Sequence, residues 1–146
     1  MRRALVGLLL SACPIPAFAE AWGVATISSY HSRCPSCYNT NNFGLGGEYS
    51  ISSNTRIVAG AYDNSQYHTS VYGGLAYTPW RIWKARIGAT FGAVTGYREE
   101  NLNRATPMVV PLIQIEHKDA GMNFGFIPTK HAGLVVGLQL KFKFKE

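Results

Sequence analysis

Two short stretches hold the side chains best suited to chemistry. In "SSYHSR" an imidazole, His31, sits among hydroxyls, and some thirty residues on "AYDNSQY" sets Asp63, Asn64 and Ser65 side by side. An imidazole beside a hydroxyl is the equipment of general-base and nucleophilic acyl transfer, with a carboxylate or amide to orient the ring. The same residue types are ordinary at strand ends, so the pattern carries meaning only if the fold joins the two stretches. "RCPSC" adds Cys34 and Cys37, read either as a loop staple or as two free thiols. Zinc would need two more ligands, and no standard spacing supplies them through His31 and His68, so no metal site is expected. His68, His117 and His131 read as surface or rim residues.

The elements that position these residues are strands. Gly 15, Tyr 8 and Phe 7 with 15% charged residues favour a β protein. The opening "MRRALVGLLLSACPIPAFAEA" has a basic start, an apolar run and a small-residue end at Ala17-Phe18-Ala19. It reads as a secretory leader over 1–19 followed by one barrel domain over 20–146. The alternative is a lipoprotein box, "LSAC", with Cys13 acylated. Of the formal +6, Arg2 and Arg3 supply two, and the remaining +4 is too mild for a nucleic-acid partner. Strand-like runs fall at roughly 22–31, 43–51, 55–63, 69–78, 83–96, 106–115, 120–128 and 131–144. Alternation is clearest in Phe43, Leu45, Tyr49 and Ile51, in Met122, Phe124 and Phe126, and in Leu138, Leu140, Phe142 and Phe144.

Eight antiparallel strands can close without edges, predicting an all-β, eight-stranded antiparallel transmembrane barrel of the outer membrane. Export, strand-end aromatics such as Trp80 and Trp83, and an aromatic last strand favour lipid over a soluble lipocalin-like barrel in the periplasm. With the N-terminus inside, the loops at 32–42, 64–68, 97–105 and 129–130 face outward, and those at 52–54, 79–82 and 116–119 face the periplasm. Arg33, Arg98, Arg104 and Lys130 then lie on outer loops, where they can attract lipid phosphates. Inside, Gly44, Gly46, Gly60, Gly74, Gly88 and Gly92 either line a lumen or relieve strand curvature. One strand, "TPMVVPLIQI", carries Pro107 and Pro111, and "FGFIP" carries Pro128, although proline gives no N–H to a ladder. Such residues start a strand, mark a bulge or loosen the wall.

The stretches "YNTNNFGLGGEY", "SVYGGLAYTPWR", "RIGATFGAVTGY", "TPMVVPLIQI", "FGFIP" and "VVGLQLKFKF" resemble, in order and near spacing, the lipid A palmitoyltransferase family of outer-membrane enzymes. The likeness runs from about Ile27 onward and identifies the chain as a short, divergent relative. It implies an enzyme moving a fatty acyl chain from a phospholipid donor to lipid A, working as a monomer among membrane lipids and without a cofactor. It also implies that Pro111 and Pro128 flank a lateral gate, that His31 is the base, and that Ser65 is the nucleophile or orients it. The family's aspartate falls on Asn64, with Asp63 one residue earlier, so the orienting acid is a departure. Ala76 falls on the floor of the family's acyl pocket, implying a chain shorter than palmitate. The family's N-terminal amphipathic clamp has almost no counterpart before Trp22. The reading from a different class is a non-catalytic outer-membrane barrel for adhesion, surface exclusion or support.

Overall fold

The structure, a computed structural model, describes residues 19–97 and 104–144. The expected leader (all but its last residue), the alternative lipid site at Cys13 and the loop cation Arg98 lie outside the described residues. Eight strands follow one another round a closed barrel: β1 (Ala21–His31), β2 (Asn41–Ser50), β3 (Thr55–Asp63), β4 (Thr69–Ile82), β5 (Ala85–Val94), β6 (Thr106–His117), β7 (Ala120–Thr129) and β8 (Gly133–Lys143). Each is antiparallel to its neighbours, and β8 closes on β1 from Trp22↔Lys143 to His31↔Val135. The lengths suit a tilted membrane crossing of about 9–11 residues. The end of the barrel opposite the β1–β2 loop has turns as short as Trp83–Lys84 and Lys118–Asp119. Short turns at one end and long loops at the other are the outer-membrane pattern.

Polarity decides the solvent. Leu45 is 76% exposed, and Phe43, Ile57, Val109, Leu134 and Phe142 face outward with it. Lys141 and Gln114 are wholly buried in the lumen, with Glu48 and Arg56 nearly so. A soluble barrel has the opposite sense, so the lipocalin-like alternative is overturned by this inside-out arrangement.

The short-turn half of the lumen is filled by ion pairs. Glu48 accepts from Arg56 Nη1 and Lys141 Nζ, each at 3.0 Å, and from Asn123 Nδ2 at 2.6 Å. Arg56 also pairs with Glu116, which Lys141 meets at 2.6 Å. Trp22 lies among the cations, with Lys141 Nζ 5.1 Å and the Arg56 guanidinium 5.6 Å from its ring. Each buried charge therefore has partners.

The wall is not uniform. β5 and β6 pair over ten residues from Ala85↔Ile115 to Val94↔Thr106, and β7 and β8 over ten from Ala120↔Phe142 to Thr129↔Gly133. Between them β6 and β7 make only six pairs, ending at Leu112↔Gly125. Beyond that point the two strands share no ladder. Pro111 is the first unpaired residue on the β6 side, and Pro128 lies three residues past Gly125 on β7. At β4 the expected turn at 79–82 is corrected: the strand continues to Ile82, and Pro79 sits in a bulge between Tyr77 and Trp80.

Two substitutions test this architecture. Leu45→Arg places a cation on the lipid face near mid-strand and should cost about 2–4 kcal/mol in urea unfolding from vesicles. A water-facing position would change by less than about 0.5 kcal/mol. Glu48→Ala removes one of the carboxylates shared by Arg56 and Lys141, leaving them Glu116, and should cost about 1–3 kcal/mol in the same assay. An unchanged midpoint would contradict the network.

Candidate active site

His31 reaches the lumen because of an extra residue. Trp22, Val24 and Thr26 face inward on β1, but the register shifts between Thr26 and Ser28, leaving Ile27 unmatched. Across that bulge the inward parity changes, so Ser29 and His31 turn in and Tyr30 turns out, 60% exposed. Such a bulge re-aims a side chain at a site. His31 is 1% exposed, and Ser29 Oγ donates to Asn42 Oδ1 beside it on β2.

β3 and β4 bring the second stretch to the same rim. His31 Nε2 and Ser65 Oγ lie 2.9 Å apart, a full hydrogen bond across 34 positions of sequence. The other two residues of the expected constellation are placed elsewhere. Asn64 is wholly buried and organises its own loop: Nδ2 donates to Ser70 Oγ at 2.9 Å and Gly96 O at 2.7 Å, while Oδ1 accepts from the Gln66 and His68 N–H groups. Asp63 is exposed, with its carboxylate accepting from Thr69 Oγ1 at 3.4 Å. His31 Nδ1 is buried and has no hydrogen-bond partner among the described residues. The ring is gripped from its face instead, where Tyr38 stacks at 4.7 Å between centroids and 12° between planes.

For Nε2 to accept the Ser65 proton, Nδ1 must carry the ring's own. The nearby phenols of Tyr62 and Tyr97, 2.8 Å apart, are not competing bases. Burial holds the Tyr97 phenol above its usual range, so it stays a donor. The imidazole that meets Ser65 is that of His31.

Ser65 opens onto a cavity of about 370 Å³ in the long-loop half of the lumen. That size is within the roughly 300–1,000 Å³ of small-ligand sites. Ala76, 1% exposed, packs with Val58, Leu112 and Tyr72 at its inner wall. The cavity is also lined by Pro107, Val109, Gly125 and Ile127, residues at the edges of the β6–β7 gap. A hollow therefore runs from the His31–Ser65 pair toward the gap in the wall.

None of the six inner glycines lines this hollow. At Gly46 and Gly60 a Cβ would come within 2.8 and 2.7 Å of the Tyr72 hydroxyl, so the space they leave is occupied by that ring. At Gly74, Gly88 and Gly92 it would meet the backbone of the adjoining strand, which marks close strand approach. Gly125 and Gly137 line the hollow instead. Among the loop cations, Arg33 Nη1 donates to Lys130 O at 3.3 Å, joining two cationic residues on the long-loop rim, and Arg104 is exposed. Cys34 and Cys37 are disulfide-bonded, with Cα atoms 5.4 Å apart. His117 and His131 are exposed, and His68 is half-buried. Tyr38 and Asn39 reach the site through the β1–β2 loop and Asn42 through β2; none of the three was singled out as a site residue from sequence.

No protein-family model matches the sequence, and no curated protein matches it. Similar solved structures include a de novo designed transmembrane barrel, TMB2.3, determined by solution NMR, with a TM-score of 0.64 at 12% identity. That match covers 90% of this chain and 100% of the designed one. A second designed transmembrane β-barrel gives 0.60 at 11% identity, covering 87% and 96%. The Yersinia pestis outer membrane protein Ail, in a phospholipid bilayer nanodisc, gives 0.50 at 9% identity, covering 86% and 99%. At such identities the likeness is one of fold: the chain is an eight-stranded transmembrane β-barrel of the outer-membrane type.

Proposed function

We propose that the protein is an outer-membrane acyltransferase, exported by its leader, that moves a fatty acyl chain from a phospholipid to lipid A. The observation that carries this reading is the His31–Ser65 hydrogen bond at the head of a hollow that reaches the gap between β6 and β7. In this reading the donor's chain slides in between Pro111 and Pro128 and lies in the hollow with its far end toward Ala76. Its ester carbonyl then sits at Ser65. His31 Nε2 takes the proton of the attacking hydroxyl and returns it to the departing glycerol oxygen. The attacking hydroxyl is that of Ser65, giving an acyl-enzyme whose ester a lipid A hydroxyl then attacks, His31 moving that proton to the departing Ser65 oxygen, or it is that of lipid A directly, with Ser65 orienting His31. Arg33 and Lys130 on the rim supply charge for lipid phosphates.

A second reading, a non-catalytic outer-membrane barrel, is favoured by the fold likeness to designed barrels and to Ail, and by the ion-paired half of the lumen. Expression in cells that lack such a transferase separates the two. The mass spectrum of lipid A should gain one acyl chain, shorter than palmitate, and His31→Ala should reduce that product about 10²- to 10⁴-fold. An unchanged spectrum with folded wild-type protein in the membrane would leave the non-catalytic barrel.

Asn64→Asp restores the acid that the family resemblance calls for, yet it should not raise activity. An aspartate cannot donate to Ser70 Oγ and Gly96 O, and it would oppose the Gly96 carbonyl. The expected result is a loss of about 1–3 kcal/mol in unfolding free energy with no gain in transfer. Higher activity at full stability would place the side chain on His31 instead.

A further inference from the structure

The loop between β1 and β2 contributes a ring to the site, and that ring is set by its neighbours in sequence. None of the residues of the short 3-10 turn at Pro35–Cys37 is buried, so packing does not hold this segment. Two other things do. The Cys34–Cys37 bond closes the turn, together with a Cys37 N–H to Cys34 O hydrogen bond of 2.9 Å. Directly after Tyr38, the Asn39 N–H donates to Ser65 O at 3.0 Å and its side chain donates to Asn64 O at 3.1 Å. Tyr38 is thus fixed on one side by a covalent ring and on the other by the strand-three loop that carries Ser65. Its ring lies flat on His31.

We propose that Tyr38 is the positioning residue of His31 and that the Cys34–Cys37 bridge holds it in place. The inference rests on His31 serving as the base of the proposed function. It answers a gap in the site: a histidine base needs its ring plane fixed, and no carboxylate or amide is bonded to Nδ1 among the described residues. A stacked ring fixes that plane from the face, leaving the Nε2 edge to Ser65. A disulfide spanning two residues adds little to global stability, because the entropy it removes grows with loop length. Its effect is therefore local, on the one aromatic residue that follows it.

The test reads His31 directly, in the full disulfide-bonded chain folded in detergent micelles. Diethyl pyrocarbonate modifies exposed imidazoles, and peptide mass spectrometry gives the rate at each histidine, with exposed His117 at the other end of the barrel as internal reference. Tyr38→Leu should raise the His31 rate about two- to tenfold, whereas Tyr38→Phe keeps the ring and should match the wild type. Cys34→Ser with Cys37→Ser should raise it in the same direction. Heat-modifiable gel mobility confirms that each variant is a folded barrel. Acyl transfer is measured on the same samples, and Tyr38→Leu should lower kcat with KM little changed. A His31 rate unmoved by Tyr38→Leu overturns the proposal, and one unmoved by the double serine variant overturns the part given to the bridge. Transfer absent from the wild type would defeat the proposed function. Transfer present with His31 reactivity unmoved would defeat Tyr38 alone.

Discussion

A strand in hydrocarbon must give every backbone N–H and C=O to a neighbouring strand, because no water is there to take them. Closure of β8 onto β1 meets that demand around most of this wall, and everything inside the barrel is possible only because it is met. The departure at β6 and β7 is therefore informative. Beyond Leu112↔Gly125 the two strands share no ladder pairs while each keeps its other partner. Proline suits such a stretch, since it brings no N–H that would be left unpaired. Pro107, Pro111 and Pro128 all lie in it. The gap also lies in the half of the wall toward the long loops, nearer the headgroups, where unpaired carbonyls can meet water.

Closure also fixes what the lumen can hold. An eight-stranded barrel is just wide enough to be filled by its own side chains. Here one half is filled, by Glu48, Arg56, Glu116 and Lys141, and the other is hollow around Tyr72, Ala76 and Leu112. The filled half ends the hollow at a charged layer, which bounds any apolar occupant: a hydrocarbon tail gains nothing by passing Ala76 toward Glu48.

Strand number, order and approximate limits were legible because alternation with period two survives in β2, β7 and β8, where apolar residues face lipid. The end of β4 was misread because Pro79 looks like a turn residue, whereas the real turn uses Trp83 with a positive φ of 55° and no glycine. The meeting of His31 with Ser65 was legible once strands one and three were seen to end on one rim. The part played by Asn64 was not, because adjacency to Ser65 says nothing about which way a side chain turns. Its amide satisfies the loop backbone and cannot also serve the imidazole. Nor does any sequence rule announce that Tyr38 comes back over His31, since that contact depends on how a loop of irregular backbone crosses the barrel mouth.

The bulge at Ile27 ties these points together. Without the extra residue, strict alternation from Trp22 would carry Tyr30 inward and put the imidazole of His31 into lipid. With it, the last turn of parity before the loop delivers a buried histidine to Ser65 and leaves its other nitrogen without a partner among the described residues. A buried ring held in its plane at Nε2 alone, with no partner at Nδ1 among the described residues, gains a second constraint when something covers its face. Tyr38 covers it. The placement of this imidazole is thus set by strand parity and a stacked ring, whereas a triad sets it through a chain of hydrogen bonds. In the proposed function such an arrangement asks for no orienting acid at position 64, where Asn64 serves its own loop.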